Sequence, residues 1–406
     1  MKKVILIVLD SVGIGAAPDA LLYQDEYTHT LGHIIAYYRE KQLPFALTHL
    51  TALGLGHIPG VEGLTASRLK AGSFYGRLSE ASKGKDTVTG HWEMTGIVTN
   101  TPFPVYPQGF PAEMVEAFER AAGTKILGNE PASGTEIIKR LGEAHMESGY
   151  PIVYTSADSV WQIAAHEEVV PLKTLYRYCE IARELFKEPP HNIGRIIARP
   201  FVGERESFIR TANRRDYALP PDRHNLLCDL VVADQAVMAI GKISDIFADT
   251  CITTSVHTTS NEDGMHKLLE AYPKTGKGLL FLNLVDFDSQ YGHRRDPYGY
   301  GQALLAFDEQ LGQLLSLLDE ETLLVITADH GCDPTAQGTD HTREYVPLLL
   351  YQRSCSEQGA LPEAHGFGHI GATIADYLDI FYSGQGQSLL PKAIKIKREE
   401  EEHADI

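Results

Sequence analysis

Asp10, Asp288 and Asp329 each stand at or just past the end of an apolar run: Val4 to Leu9, Gly278 to Val285 and Leu323 to Ile326. Histidines accompany the last two. His293 follows Asp288 by five positions, His330 follows Asp329 directly, and His341 lies on the segment returning to the apolar run Val346 to Leu350. One such aspartate alone is ordinarily a helix cap or a solvated turn residue. Three carboxylates and three imidazoles drawn from three run ends suit a pair of divalent cations, because mixed oxygen and nitrogen donors bind that class of ion. Two such ions can clamp the oxygens of a phosphoryl group. Three negative charges against four positive ones leave a site that still attracts a phosphate dianion.

A hydroxyl nucleophile is available in SKGKDTVTGHWEMTG, residues 82–96, where Thr87 and Thr89 sit between Gly84, Gly90 and Gly96. A hydroxyl on a turn entering a helix faces the helix N-terminus, which stabilises an arriving anion. Threonines at such turns are mostly caps, so Thr87 gains its meaning from the acid and imidazole set.

These residues need strands to hold them side by side. Val4 to Leu9 is continuously apolar, the pattern of a central parallel strand covered on both faces. Gly278 to Val285 and Leu323 to Ile326 read the same way, and in an α/β sheet ligands collect at the carboxyl ends of the strands. Ala239 to Asp245 reads as a strand running into a loop with Lys242 at its mouth. After Asp288, apolar positions 304, 307, 311, 314, 315 and 318 keep the 3.6-residue period of a helix. A final helix is expected near Ile370 to Ile380.

Between these segments the texture changes. TPFPVYPQGFP holds four prolines in eleven residues, a linker signal. It is followed by expected helices near Pro111 to Ala122 and Leu172 to Phe186, with a strand at Ile152 to Tyr154. Six arginines, 195, 199, 205, 210, 214 and 215, fall within 21 positions. Most such arginines are ion-paired surface residues, but one or two suit bidentate phosphate recognition. The expected division is a core of residues 1–98 and 219–406 interrupted by an inserted α+β domain, 99–218.

Composition bounds the rest. The chain has 406 residues, 43% hydrophobic and 22% charged, with Lys+Arg 36 against Asp+Glu 54 and a net charge of −18. That is globular, and it repels a nucleic-acid backbone, so any phosphate site must be built locally. The longest N-terminal apolar run is too short for a signal core or a membrane span. The five cysteines, 179, 228, 251, 332 and 355, show no paired spacing; they read as reduced thiols of a cytoplasmic protein. The tail KIKREEEEHADI, 395–406, segregates its charge.

Several blocks together resemble the phosphopentomutase family of the alkaline phosphatase superfamily: DSVGIG (10–15), GKDTVTGHWE (84–93), TSADSV (155–160) and IARPFVG (197–203). GKISD (241–245), NLVDFD (283–288), GHRRD (292–296) and DHTREYVP (340–347) extend the resemblance over nearly the whole chain. It implies an alkaline-phosphatase-like α/β core, with a central mostly parallel sheet flanked by helices, and a cap inserted in it. It implies that Asp10, Asp329 and His330 hold one metal together with the Thr87 hydroxyl, and that Asp288, His293 and His341 hold the other. It further implies Ser156, Asp158, Arg195, Arg210 and Lys242 as contacts to a small-molecule pentose phosphate, manganese as the usual ion, and a sugar bisphosphate as activator. Thr87 would carry phosphate while ribose or deoxyribose 1-phosphate and the 5-phosphate interconvert. A different mutase or phosphatase on the same core is the alternative. Thr87 in place of a serine argues against a cofactor-independent phosphoglycerate mutase, and no cysteine begins a C-x-P-x-R sulfatase motif. A non-catalytic metal-binding scaffold has no need of six ligands and a nucleophile.

Overall fold

In the computed structural model, residues 1–64, 68–156, 158–205 and 207–394 are described. The tail from Lys395 lies outside them. The chain divides into two compact units, Met1–Thr101 with Pro221–Ile406, and Pro102–Pro220.

Strands are numbered along the chain. In the first unit they are β1 (Lys3–Leu9) and β2 (Ser73–Ser79). The second unit contains β3 (Leu127–Pro131), β4 (Ile152–Thr155), β5 (Val160–His166), β6 (Arg195–Val202), β7 (Ile209–Arg210) and β8 (Arg215–Ala218). The first unit resumes with β9 (Ala236–Ile240), β10 (Thr254–Val256), β11 (Gly278–Leu284), β12 (Thr322–Thr327), β13 (Val346–Gln352), β14 (Gly359–Ala360) and β15 (Ala364–His365).

The first unit's sheet runs β10-β9-β11-β1-β12-β13-β2-β14, with β15 also on β2. β10, β9, β11, β1 and β12 are mutually parallel, while β13 runs antiparallel to both β12 and β2. Every residue of β1, β11 and β12 is buried, which is why these runs are unbroken by polar alternation. Register matters most for the site. Val8 of β1 pairs with Asn283 of β11 and with Thr327 of β12, so the carboxyl ends of three adjacent strands finish side by side. The Pro297–Leu317 helix follows, capped by Asp296, whose carboxylate accepts from the Gly299 amide, and it buries Leu304, Phe307, Leu311, Leu314 and Leu315. The last helix spans Gly368–Leu378. The expected mostly parallel sheet flanked by helices is therefore present.

The second unit is α+β, with sheet order β3-β4-β5-β6-β7 and β8 on β6. Alternation along β5 sends Trp161, Ile163 and Ala165 into a cluster with Phe118, Leu175, Cys179 and Ile196. Ala164 joins Ile137, Ile138, Ile152, Tyr154 and Phe201 on the other face.

One expectation needs correction. Cys228 and Cys251 form a disulfide, with Cα atoms 5.0 Å apart, so reading all five cysteines as reduced thiols was wrong for this pair. The two are 23 residues apart and meet only because the Leu226–Val232 helix and the turn before β10 flank the same strand, β9. Sequence spacing cannot supply such a pairing, and the cysteine argument for a reducing compartment falls with it. Cys179, Cys332 and Cys355 are free and buried. Among the described residues no helix is long and apolar enough to cross a membrane.

Candidate metal centre

The loop after β1 begins with Asp10 and Ser11. Ser11 has a φ of 73°, a left-handed conformation that a non-glycine residue holds only when its surroundings enforce it. The enforcing bonds are visible. The Ser11 amide donates to Asp329 Oδ1 at 3.0 Å, and its carbonyl accepts from the Cys332 amide at 3.2 Å. The loop after β1 is thus tied to the loop after β12.

Thr87 is the first residue of the Thr87–Met94 helix, whose cap is Asp86. Asp86 accepts from the Thr89 amide and the Thr89 hydroxyl, the latter at 2.6 Å, so Thr89 is engaged and only Thr87 faces the acids. The helix comes close because Gly90 has no side chain: a Cβ there would lie 2.4 Å from the Asp329 carbonyl oxygen. Thr87 Oγ1 lies 3.1 Å from His330 Nε2.

Asp288 sits in a single π-helical turn, Phe287–Gly292, directly after β11, a local geometry frequent at functional sites. Its two oxygens face different imidazoles: Oδ1 is 3.4 Å from His341 Nε2 and Oδ2 is 3.3 Å from His293 Nε2. His330 Nε2 is 3.6 Å from Asp10 Oδ1 and 3.3 Å from Asp329 Oδ2. All six acids and imidazoles expected from the sequence are brought together in one cluster. Asp10, Asp329 and His330 form one compact set of donor atoms, and Asp288, His330 and His341 a second; Asp288, His293 and Cys332 form a third.

The donor chemistry fits divalent ions. Asp10 Oδ1, Asp288 Oδ1, Asp329 Oδ2 and His341 Nε2 are buried and make no hydrogen bond, although buried polar atoms are normally satisfied. Atoms each about 2.1 Å from one ion stand roughly 3 to 3.5 Å apart, and the donor separations given above, 3.3 to 3.6 Å, lie close to that. Electrostatics point the same way. Burial, then the charges of Asp329 and Asp288, push the Asp10 carboxyl well above its usual range. Burial opposes ionisation of Asp329 and Asp288 too, but His330 and His91 outweigh it at Asp329, and His293 and His341 outweigh it at Asp288, so both are held low. Three buried carboxylates this close cannot all ionise cheaply without added positive charge.

The other expected residues are dispersed. Lys242 caps the short Ile243–Ile246 helix after β9, and its charge acts on Asp10. Ser156 and Asp158 lie on the β4–β5 connection of the second unit. Arg195 opens β6 with Nη1 3.6 Å from the Asp216 carboxylate, so it is already paired. Arg210 ends β7, is exposed, and makes no ion pair among the described residues. Sequence reasoning named Arg199 only as one of six clustered arginines; it is partly buried with Nε donating to Gln162 Oε1 at 3.1 Å. Burial and the neighbouring Arg214 and Arg210 lower its pKa. Sequence reasoning passed over Cys332, His91 and Asn283. The available signal for His91 was its place one helical turn after Thr87.

The family model described as the metalloenzyme superfamily matches residues 2–381, in agreement with a metal-binding centre. A phosphopentomutase of Caldanaerobacter subterraneus is 52% identical over 390 residues, covering 96% of this chain and 98% of that one. A phosphopentomutase of Alkaliphilus metalliredigens is 50% identical over 388 residues, with 96% and 98% covered. A solved phosphoglycerate mutase of Leishmania mexicana covers 95% of this chain and 97% of its own, at 14% identity and a TM-score of 0.41.

Proposed function

The chain belongs to the phosphopentomutase family, an isomerase family, and from that premise we propose that it interconverts ribose or deoxyribose 1-phosphate with the 5-phosphate through a phosphorylated Thr87. The observation that carries this reading is the Thr87 hydroxyl, at the start of a helix and 3.1 Å from His330 Nε2, beside the Asp10 and Asp329 carboxylates.

Asp10, Asp329 and His330 would hold one divalent ion together with the Thr87 hydroxyl, and Asp288, His293 and His341 would hold the other; the family resemblance implies manganese. When bound, the ions lower the pKa of the hydroxyl and offset charge on the in-line phosphoryl transition state. The chain's own residues do the rest. Thr87 opens its helix, whose N-terminal partial positive charge favours a phosphate carried there. Phosphothreonine 87 passes its phosphoryl group to the free hydroxyl of a pentose monophosphate, forming the sugar O–P bond as the threonine O–P bond breaks. The resulting bisphosphate turns round and returns its other phosphoryl group to Thr87. A sugar bisphosphate can therefore prime an unphosphorylated enzyme.

The sequence resemblance assigns the second unit the part of a substrate-binding cap, and exclusion of water is what would let a sugar and not solvent accept the phosphate. Ser156, Asp158, Arg195 and Arg210 are its contacts to the pentose phosphate, joined by Lys242 of the core. Intact mass after incubation with a sugar bisphosphate tests the centre of the proposal. Wild type should gain about 80 Da, the mass of one phosphoryl group, and Thr87→Ala should not. An equal adduct on the variant rules Thr87 out.

A further inference from the structure

His91 and Asn283 lie outside the ligand set, yet they connect two of its carboxylates. Both are fully buried. His91 Nδ1 is 2.9 Å from the Thr87 carbonyl oxygen and 3.1 Å from Asp329 Oδ2. Its Nε2 is 2.9 Å from Asn283 Nδ2, and that same amide nitrogen is 2.9 Å from Asp10 Oδ2. Phe281 lies against the imidazole, with rings 25° from parallel and centroids 5.9 Å apart.

The proton positions follow from charge. With a cation bound, Asp10 is a carboxylate and only accepts, so the Asn283 side chain turns its nitrogen, not its oxygen, toward Oδ2. That nitrogen is then a donor to His91 as well, and Nε2 must carry no proton to receive it. The imidazole so placed keeps its proton on Nδ1, donated to the Thr87 carbonyl, with the Asp329 carboxylate alongside at 3.1 Å. The orientation of one carboxylate therefore dictates which edge of His91 meets the other.

We propose that His91, held by Asn283 as the Nδ1–H tautomer, is a positioning residue that ties Asp10, Asp329 and the first turn of the Thr87 helix into one unit and so sets the affinity of the metal site. This rests on the metal-ligand reading above. Groups that orient ligands from behind alter metal affinity by about 10- to 100-fold when removed. A histidine that merely fills space predicts something different, because its replacements should rank by volume.

The test uses the full-length metal-free enzyme titrated with Mn²⁺ by calorimetry. His91→Asn keeps an amide N–H near the Nδ1 position, whereas His91→Gln places its amide near Nε2 and fills more volume. His91→Gln should weaken Mn²⁺ binding about 10- to 100-fold, and His91→Asn should lose clearly less. Equal losses, the reverse order, or affinity for the Gln variant within about twofold of wild type overturn the proposal. Asp10→Asn separates the two levels: Mn²⁺ binding that survives it removes the ligand reading itself, and this inference with it. Should the His91 variants not fold, ¹⁵N-histidine NMR of the wild-type enzyme with Mg²⁺ decides. A proton on Nδ1 of His91 supports the proposal, and a proton on Nε2 overturns it.

Discussion

Arg343 is 1% exposed, and replacing it tests what holds the loops around the metal centre. Its guanidinium donates to the Asp19 carboxylate through Nε and Nη2 at 3.1 and 2.9 Å, and to the carbonyls of Glu80 and Gly84 at 2.8 and 2.7 Å. It also pairs with the Glu80 carboxylate, itself 2% exposed. One side chain thus joins the 19–25 segment, the 80–84 segment leading to Thr87, and the strand of chain carrying His341. Even with Arg343 in place, burial raises the Glu80 carboxyl well above its usual range. Arg343→Met fills similar volume but leaves Glu80 without a counter-charge. Breaking one partner from a buried pair costs about 3–5 kcal/mol. At roughly 2 °C per kcal/mol for a domain of this size, Tm should fall by about 6–10 °C. Scanning calorimetry on chelator-treated protein reads this without a contribution from lost metal. Adding Glu80→Gln removes the stranded charge, so the double variant should recover at least about 1 kcal/mol relative to additivity. A drop below about 2 °C, or strict additivity, refutes the account.

Asp329→Ala and His330→Ala should each abolish turnover and most Mn²⁺ binding while the chelator-treated protein still folds, with Asp329→Ala lowering metal-free Tm the more because it removes the acceptor of the Ser11 amide; wild-type turnover after chelation and manganese return would count against the assignment. Arg199→Ala should raise the KM for ribose 1-phosphate about 10-fold or more, the scale of a charged hydrogen bond, because no carboxylate among the described residues pairs with it; an unchanged KM makes it an ordinary structural arginine. Arg210→Ala should reduce mutase flux more than phosphorylation of Thr87, and side-by-side measurement of mutase rate and free phosphate release checks it, with an unchanged ratio and KM counting against a cap role for this residue. His145 Nδ1 faces the Tyr150 carbonyl at 2.7 Å and Nε2 accepts from the His166 amide at 2.8 Å, so the native imidazole is neutral, and burial lowers its pKa. The unfolded chain then takes the proton first: this contribution is fully present above about pH 6.5 and is lost as pH falls below it toward the folded value. Tm should decline more steeply there in wild type than in His145→Gln, and parallel curves would show that His145 does not govern acid stability.

The parts of this molecule legible in its sequence are those where one local pattern has one structural meaning. Val4 to Leu9 could only be a strand covered on both faces, and the leucines of residues 304–318 could only be one face of a helix. Asp10, Asp288 and Asp329 were visible because each follows such a run, and the cluster of three such ends meant more than any one of them. Pairing was not legible in the same way. The apolar run of β13 resembles that of β12, yet one is antiparallel to the other, because direction is set by the loop between them and not by side-chain type. Cys228 and Cys251 were misread for the same reason, since their 2.02 Å bond depends on which segments flank β9. His91 and Asn283 stayed hidden for a further reason. A buried histidine on a helix has an unremarkable sequence signature, and its meaning arises only when Asp10 fixes the Asn283 amide and the amide fixes the imidazole proton. Ligands announce themselves by residue type at strand ends, whereas the groups that orient them are defined by partners hundreds of residues away, 273 positions in the case of Asp10 and Asn283. A short motif can therefore be intact in a relative while the orienting partner differs, and metal affinity should then follow the partner and not the motif.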